Sequence, residues 1–259
     1  MPRTARIAPQ ENIYHILTRG NNRQVIFKDE GDYSRYIEIL KRYKEKYRFF
    51  LYHYALMGNH VHLVLETTAK GGRLAEIMKG INLSYAQYYK KKYKHTGHFW
   101  QDRYKSIIIS NDEYLLACGS YVELNPVRAG IAKDPKDYRW SSYLVYAYGQ
   151  KDSVTDVHGI YQALAGDESK RKKKYREFVR GIMATKKSLK GEMEKKLVYG
   201  SEKFMKELHK RYAVSPLIRR VGRPKTEKKS NNYNRPHYSP HCNRSNPGEL
   251  DYDQHNQEA

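Results

Sequence analysis

The first 150 residues alternate between short apolar runs and longer stretches with a helical period. Runs rich in Val, Ile, Leu and aromatic residues that end at turn residues predict four β-strands, over residues 14–18, 49–57, 60–66 and 104–109. Apolar residues that recur every three or four positions predict three helices, over residues 30–47, 73–93 and 110–124. The pair Gly58-Asn59 indicates a hairpin turn. The tetrapeptide Ser110-Asn111-Asp112-Glu113 matches a capping box that would begin the third helix.

The order of these elements is β-α-β-β-α-β-α. Hairpin-connected strands mixed with helices favour an α+β fold, with a ferredoxin-like antiparallel sheet and helices packed on it. A basic helical C-terminal extension follows, because residues 170–184 and 201–212 show a helical pattern among many lysines. We expect a globular domain over residues 1–150 and the basic helical extension over residues 151–216. Residues 217–259 contain few aliphatic side chains and predict a disordered tail.

The charge of the chain is strongly positive and unevenly distributed. Among 259 residues there are 49 Lys and Arg against 28 Asp and Glu, which gives a net charge of +21. Residues 167–229 alone contain 22 basic and 8 acidic residues. Together with 25 tyrosines, this surplus indicates a polyanionic partner, most often nucleic acid. The alternative is a basic surface that serves solubility only.

The same composition excludes several classes of protein. No apolar run approaches the roughly 18 residues of a membrane span, and the first six residues lack the apolar segment of a signal peptide. The two cysteines, Cys118 and Cys242, are too few for a disulfide framework or a cysteine-rich zinc site. We therefore expect a reduced, cytoplasmic, nucleoid-associated protein with no membrane partner.

Two histidines define the first candidate site. His60 and His62 lie two residues apart in a predicted strand, and the period of two directs both imidazoles to one face of the sheet. Glu66 lies further along that face, whereas Val61 and Leu63 point towards a core. Two imidazoles on one face can bind a divalent metal ion. The alternative is a pair of exposed polar residues on a half-buried strand.

A tyrosine and an asparagine define the second candidate site. Tyr121 and Asn125 lie four residues apart, hence on one face of the third predicted helix, whose last turn comes just before Pro126. An asparagine oxygen can complete the ligand set of a hard metal ion, and a tyrosine one turn away can present its hydroxyl to a phosphate. The alternative is that Tyr121 packs in the core while Asn125 caps a turn.

Four segments of the first 150 residues carry a resemblance to a known family. They are Arg19–Phe27, Met57–His62, Tyr121–Gly130 and Tyr138–Tyr143. At these points the chain resembles the REP-associated tyrosine transposases, which belong to the single-tyrosine HUH transposase superfamily. The ordered set of motifs is far more specific than the His-x-His pair alone.

The resemblance implies cleavage and rejoining of single-stranded, hairpin-forming or repeat DNA. It implies Mg²⁺ or Mn²⁺ bound by His60, His62 and Asn125, and a nucleophilic Tyr121 that forms a 5′-phosphotyrosine intermediate. A free phenol has a pKa of about 10, so a nearby group must help to remove its proton. His98 and Lys105 are candidates for that base. The family often has His at the position of Glu123, which leaves the role of residue 123 open.

Five basic residues lie beside the proposed site motifs and are candidates for contacts with DNA phosphates. They are Arg19, Arg23, Arg103, Lys105 and Arg128. For each of them the alternative is a solvated surface charge. The run Lys90–Lys94 and the basic extension are further candidates. The segment Val221–Lys225 resembles the Gly-Arg-Pro core of a minor-groove-binding AT-hook, but it has Val where such a hook has Arg before the core.

Three functions are compatible with these features. The first is a metal-dependent transposase that acts on single-stranded DNA hairpins. The second is a nucleic-acid-binding regulator of the same fold without turnover, and the third is a related replication initiator or relaxase. The segment Asn125–Gly130 argues against the third. The sequence leaves open the DNA target and whether the protein is a monomer or a dimer.

Overall fold

The computed structural model describes residues 8–185 and 196–213, all within one compact unit. Its elements in chain order are β1 (Ile13–Arg19), α1 (Glu30–Tyr47), β2 (Phe50–Met57), β3 (His60–Glu66), α2 (Leu74–Tyr93), β4 (Lys105–Ile109), α3 (Glu113–Glu123), α4 (Asn125–Arg128), α5 (Tyr143–Tyr148), α6 (Gly159–Gln162), α7 (Glu168–Ala184), β5 (Val198–Tyr199) and α8 (Glu202–Tyr212). Short 3-10 helices span Asn21–Arg23 and Pro135–Asp137. The expected tail and the Gly-Arg-Pro segment lie outside the described residues.

The five strands form one sheet in the order β2-β3-β1-β4-β5. β1 lies between β3 and β4 and pairs antiparallel with both, and β2 pairs antiparallel with β3. The predicted α+β fold with a ferredoxin-like antiparallel sheet is therefore confirmed. β5 is an addition that the sequence pattern did not predict, because a strand of two residues has no period to detect. It pairs parallel with β4 through Ile108 and Ile109.

The two faces of the sheet are covered by different helices. α1 and α2 cover one face, where the core includes Ile16, Leu63, Tyr36, Ile77 and Tyr85. α3 covers the other face, where the core includes Val64, Ile109, Leu115, Cys118 and Tyr121. The short helices and α7 pack against α3 in a third cluster, which includes Leu116, Leu124, Tyr146, Tyr175 and Val179. Within the described ranges, no helix has the length and apolarity needed to cross a bilayer.

The start of α3 differs from the predicted capping box. Asp112, and not Ser110, is the N-cap, because its side chain accepts a hydrogen bond from the backbone N–H of Tyr114. The hydroxyl of Ser110 donates to the other carboxylate oxygen of Asp112 at 2.7 Å. The predicted N-cap was wrong by two residues. Ser110 and Asp112 competed for the cap, and the carboxylate, the stronger acceptor beside helix N–H groups, occupies it.

The outer edge of β2 is closed by the chain that follows α4. The backbone N–H of Leu56 donates to Trp140 O at 2.9 Å, and the N–H of Ser142 donates to Tyr54 O at 3.1 Å. Further along, Leu51 N–H donates to the carboxylate of Asp156 at 2.8 Å. These bonds pair the backbone groups that an edge strand would otherwise expose.

A buried carboxylate joins the beginning of α1 to the end of α2. Asp32 has no exposed surface and accepts hydrogen bonds from the backbone N–H of Lys28, Lys92 Nζ and the hydroxyls of Tyr88 and Tyr93, at 2.7 to 2.9 Å. Burial opposes ionisation of Asp32, but the bonds from Lys92, Lys28 and the two tyrosines outweigh it. They lower the pKa of the carboxyl below its ordinary value of 3.8.

We expect Asp32→Asn to lower the free energy of unfolding by roughly 1–3 kcal/mol at pH 7, because Lys92 loses the buried one of its two charged partners, Asp32 and Asp29. Since the pKa of Asp32 is lower in the folded chain, its contribution is complete above pH 4 and disappears as the pH falls through the folded pKa. Urea unfolding between pH 7 and pH 3 measures this, with the exposed Asp137→Asn as the control. A difference that stayed constant over the whole range would contradict the assignment.

Candidate active site

The two predicted histidines lie on the face of the sheet that α3 covers. His62 is 4% exposed, whereas His60 is half-buried at the beginning of β3, opposite Arg19 of β1. Their ring centroids are 5.0 Å apart and the ring planes are nearly perpendicular, at 75°. Val61 and Leu63 point to the opposite face and belong to the α1–α2 core. The period of two therefore predicted the direction of these side chains, but His62 is buried rather than exposed.

A third histidine, His15 of β1, completes the cluster and was missed in the sequence. Its ring is stacked on His62 with centroids 5.1 Å apart and planes 2° from parallel, and its Nε2 lies 2.9 Å from Nδ1 of His62. Its Nδ1 is buried and has no hydrogen-bond partner among the described residues. The available signal was a histidine inside a predicted strand, but only the strand order places β1 beside β3.

The surroundings of this cluster keep the imidazoles of His15 and His62 neutral. Burial lowers the pKa of His15 to about 4. Burial also lowers the pKa of His62 well below its ordinary value, with further contributions from His15, His60 and Arg19. A neutral imidazole has a ring nitrogen whose lone pair can bind a metal ion, whereas the protonated form has none.

Tyr121 of α3 packs edge-on against two of these histidines. Its ring centroid is 5.9 Å from that of His15 and 6.2 Å from that of His62, with interplanar angles of 84° and 85°. The side chain is 4% exposed, so packing fixes its direction. Tyr121 thus meets residues that lie 59 and 106 positions earlier in the sequence.

The end of α3 is held by two of the predicted site residues. The carboxamide nitrogen of Asn125 donates to the backbone oxygens of Tyr121 and Val122, at 3.0 and 3.2 Å. Arg128 donates from Nη1 to Tyr121 O at 2.9 Å, and its guanidinium lies 4.9 Å from the centre of the Tyr121 ring. Of the two groups on the Asn125 side chain, the oxygen is the one suited to bind a cation. Arg128 contacts the tyrosine itself, in addition to any role with phosphates.

The loop after β1 places Arg19 and Arg23 at the same end of the sheet as His60. Gly20 N–H donates to Asn59 O at 3.0 Å, and the Asn59 amide donates to Arg23 O at 3.3 Å. A side chain at Gly20 would put its Cβ 2.7 Å from Gln24 O, so only glycine allows this close approach. Arg23 itself is exposed. The loop motif and the histidine motif are therefore parts of one surface.

The remaining predicted residues are more exposed. Arg103, Lys105 and His98 all have exposed side chains. Lys105 begins β4 and pairs in register with Leu17 of β1. Lys105 therefore lies beside β1, the central strand of the site. The role of His98 as a base stays a prediction.

Glu123, whose role the sequence leaves open, is the last residue of α3 and is completely buried. Its two oxygens lie 2.8 Å from His53 Nδ1, 2.6 Å from Ser142 Oγ and 2.7 Å from the hydroxyl of Tyr175. One helical turn earlier, Gly119 allows α3 to approach β2, because a Cβ there would overlap the His53 ring. Glu123 therefore fixes α3 to β2, to the segment before α5 and to α7.

The side chains of the expected donor set are of the kinds that bind a divalent metal ion. Within residues 8–185 and 196–213 there is no group of three or more His, Cys, Asp or Glu side chains that could hold a metal, but the expected set contains only two such side chains and a carboxamide. In both His60 and His62, Nδ1 is engaged by a neighbour, Asn59 Oδ1 at 2.6 Å and His15 at 2.9 Å. Such contacts orient imidazoles so that Nε2 is presented to a metal.

Comparison with known proteins agrees with the motif set. The family model described as "Transposase IS200 like" matches residues 10–125. No curated protein matches the chain. Among solved structures, a REP-associated tyrosine transposase bound to a REP hairpin is similar, with 18% identity, a TM-score of 0.49, and coverage of 61% of this chain and 94% of that one. A candidate transposase from Deinococcus radiodurans R1 has 18% identity and a TM-score of 0.34, with 52% and 97% covered.

The matched segment begins before β1 and ends at Asn125. It thus contains His15, both histidines of the His-x-His motif and Tyr121, which the fold brings together between the sheet and α3. Residues 10–125 of this chain are therefore similar to the IS200-like transposases.

Proposed function

We propose that the protein is a metal-dependent DNA transposase that cleaves and rejoins single-stranded, hairpin-forming DNA through a 5′-phosphotyrosine. The observation that carries the proposal is the packing of Tyr121 against His15 and His62, beside His60. The similarity of residues 10–125 to a transposase family and a net charge of +21 support a DNA substrate.

In the proposed reaction the Tyr121 oxygen attacks the scissile phosphorus. A bond from the tyrosine oxygen to phosphorus forms as the bond to the 3′ oxygen breaks. The phenol loses its proton and the 3′ oxygen gains one. The products are a 5′-phosphotyrosine and a free 3′-hydroxyl, and attack by a 3′-hydroxyl on the phosphotyrosine reverses the step. The bond energy is conserved, so rejoining needs no nucleotide cofactor.

The side chains around the phosphate have separate tasks. His60, His62 and the Asn125 oxygen would hold Mg²⁺ or Mn²⁺, which when bound would offset the charge that develops on the phosphate. Arg19 and Arg23, at the same end of the sheet, would bind flanking phosphates. His15 would orient His62, and Arg128 and Asn125 would fix the backbone of Tyr121.

The test is a cleavage assay with labelled oligonucleotides that fold into a hairpin with randomised single-stranded flanks. With Mg²⁺ or Mn²⁺ we expect a covalent protein–DNA adduct on a denaturing gel, together with a fragment that ends in a 3′-hydroxyl. With EDTA we expect no adduct. Hairpin DNA that is shifted on a native gel but forms no adduct with either metal ion would instead support a binding module without turnover.

A further inference from the structure

The exposed face of α7 carries three cations and one acidic residue, Glu177, which lies between Lys173 and Arg180. Lys170, Lys173 and Arg180 are exposed and, at spacings of three and seven residues, lie on one side of the helix. The opposite side contains Tyr175 and Val179, which are completely buried. The helix is therefore held by one face and presents the other to solvent.

Most other cations of α7 already have partners inside the protein. Each makes a hydrogen bond or ion pair with a nearby group: Arg171 with Ala165 O, Lys172 with the Glu168 carboxylate, Lys174 with Leu164 O and Arg176 with Ala147 O. In the described part of the chain, the side chains of Lys170, Lys173 and Arg180 make no hydrogen bond or ion pair. These three charges are consequently available to an external partner.

Some neighbouring cations of α7 repel one another when no partner is bound. Lys170 and Lys174, and likewise Arg176 and Arg180, are like-charged pairs four residues apart, and each pair costs a helix about 0.2–0.5 kcal/mol. Apart from the cap at Asp167, α7 has only two acidic residues, Glu168 and Glu177, against seven basic ones. A bound row of negative charges would remove this repulsion, as phosphates on a nucleic acid backbone do.

The position of this face is fixed relative to Tyr121. The hydroxyl of Tyr175 donates to Glu123 at 2.7 Å, and Glu123 belongs to the same helix as Tyr121, two residues later. Arg176 bonds to the backbone of α5. DNA that is bound to the exposed face of α7 would therefore be held at a constant distance from the tyrosine.

The shape of the face favours double-stranded DNA. Lys170 and Arg180 are ten residues apart, or about 15 Å along the helix, which is enough to follow several phosphates of one strand. The row contains no aromatic side chain, whereas proteins that hold unpaired bases stack them on aromatic rings.

We propose that Lys170, Lys173 and Arg180 bind the phosphate backbone of the duplex stem of the hairpin whose single-stranded flank is cleaved. This inference rests on the proposed function, which identifies the DNA as a hairpin. The duplex stem of the hairpin would bind to α7, and its single-stranded flank would bind on the side of α3 that faces the sheet.

The test compares two triple variants of the full chain. Lys170→Gln, Lys173→Gln and Arg180→Gln remove the row on α7. The control variant loses the same amount of charge from exposed positions of α1 and α2, on the opposite face of the sheet from α3. Its substitutions are Lys41→Gln, Lys46→Gln and Lys79→Gln. Glutamine keeps a high helix propensity, and thermal unfolding checks that both variants fold. Fluorescence anisotropy then measures the Kd for hairpin DNA and for an unstructured strand of equal length, in EDTA and at several salt concentrations.

We expect the α7 variant to bind hairpin DNA at least about 10-fold more weakly near 0.1 M salt. Each lost phosphate contact lowers the salt slope by about 0.9, so the slope should fall by between 2 and 3 (an order-of-magnitude estimate). Binding of the unstructured strand should change little, and the control variant should resemble the wild type. Equal weakening in both variants, equal weakening for both DNAs, or no change in the α7 variant would each overturn the proposal. The binding assay does not depend on cleavage. If the wild-type protein forms no covalent adduct in the cleavage assay, that result contradicts the proposed function and leaves the binding result unaffected.

Discussion

Tyr121→Phe is expected to abolish the covalent protein–DNA adduct, with a loss of more than about 10³-fold in the rate of its formation. The substitution removes only the hydroxyl oxygen that would bond to phosphorus. The ring, which packs against His15 and His62 and under the Arg128 guanidinium, stays in place. We therefore expect the variant to fold normally and to bind hairpin DNA with a Kd within about 3-fold of the wild type.

The matched control is Tyr114→Phe, the same change in the first turn of the same helix, where the ring contacts Tyr199 rather than the histidines. It should keep the adduct. Incubation with labelled hairpin DNA and Mn²⁺, followed by a denaturing gel, measures both variants. An adduct of undiminished yield in Tyr121→Phe would exclude Tyr121 as the nucleophile, even if the metal dependence were as expected.

Glu123→Ala is expected to lower the free energy of unfolding by about 3–5 kcal/mol. Three groups that now bond to the buried carboxyl group, on His53, Ser142 and Tyr175, would be left without a partner in a region with no access to water. Domains of this size are commonly stable by only about 5–15 kcal/mol, so this loss is a large fraction of the total. Urea unfolding at pH 7 measures it.

Glu113→Ala is the control, since Glu113 is an exposed glutamate in the first turn of the same helix. Its loss should cost at most about 1 kcal/mol, through the interaction with the helix dipole. Tyr175→Phe, which removes one of the three bonds, should fall between the two. A loss below about 1 kcal/mol for Glu123→Ala would show that the carboxyl group does not hold α3 to α7.

The structure agrees with the predicted directions of the candidate side chains and adds His15 to them. The period of β3 predicted that His60 and His62 point to one face, and the helical spacing predicted that Tyr121 and Asn125 lie close together. His15 was missed because it lies in another strand, and a period within one strand contains no information about which strand is its neighbour. The burial of His62 was missed for the same reason, since it depends on α3 covering that face.

The buried position of Glu123 could not be predicted from the sequence either. In the sequence it is a glutamate at the end of a helix, and such residues are usually exposed. Its three partners come from β2, from the segment before α5 and from α7, at separations of 70, 19 and 52 residues. The structure also shows what the motif Trp140–Tyr143 does. Ser142 donates a hydrogen bond to Glu123, and the segment pairs with the outer edge of β2.

The sequence by itself determined the order of the four antiparallel strands and of the long helices, the α+β class, and the face to which the histidines of β3 point. These properties follow from local periodicity and turn residues, which act over a few neighbouring positions. Only the tertiary structure decided the third histidine, the buried role of Glu123 and the fixed orientation of the cationic face of α7. These features depend on contacts between distant segments, and such contacts form only when strand order and helix packing bring the segments together.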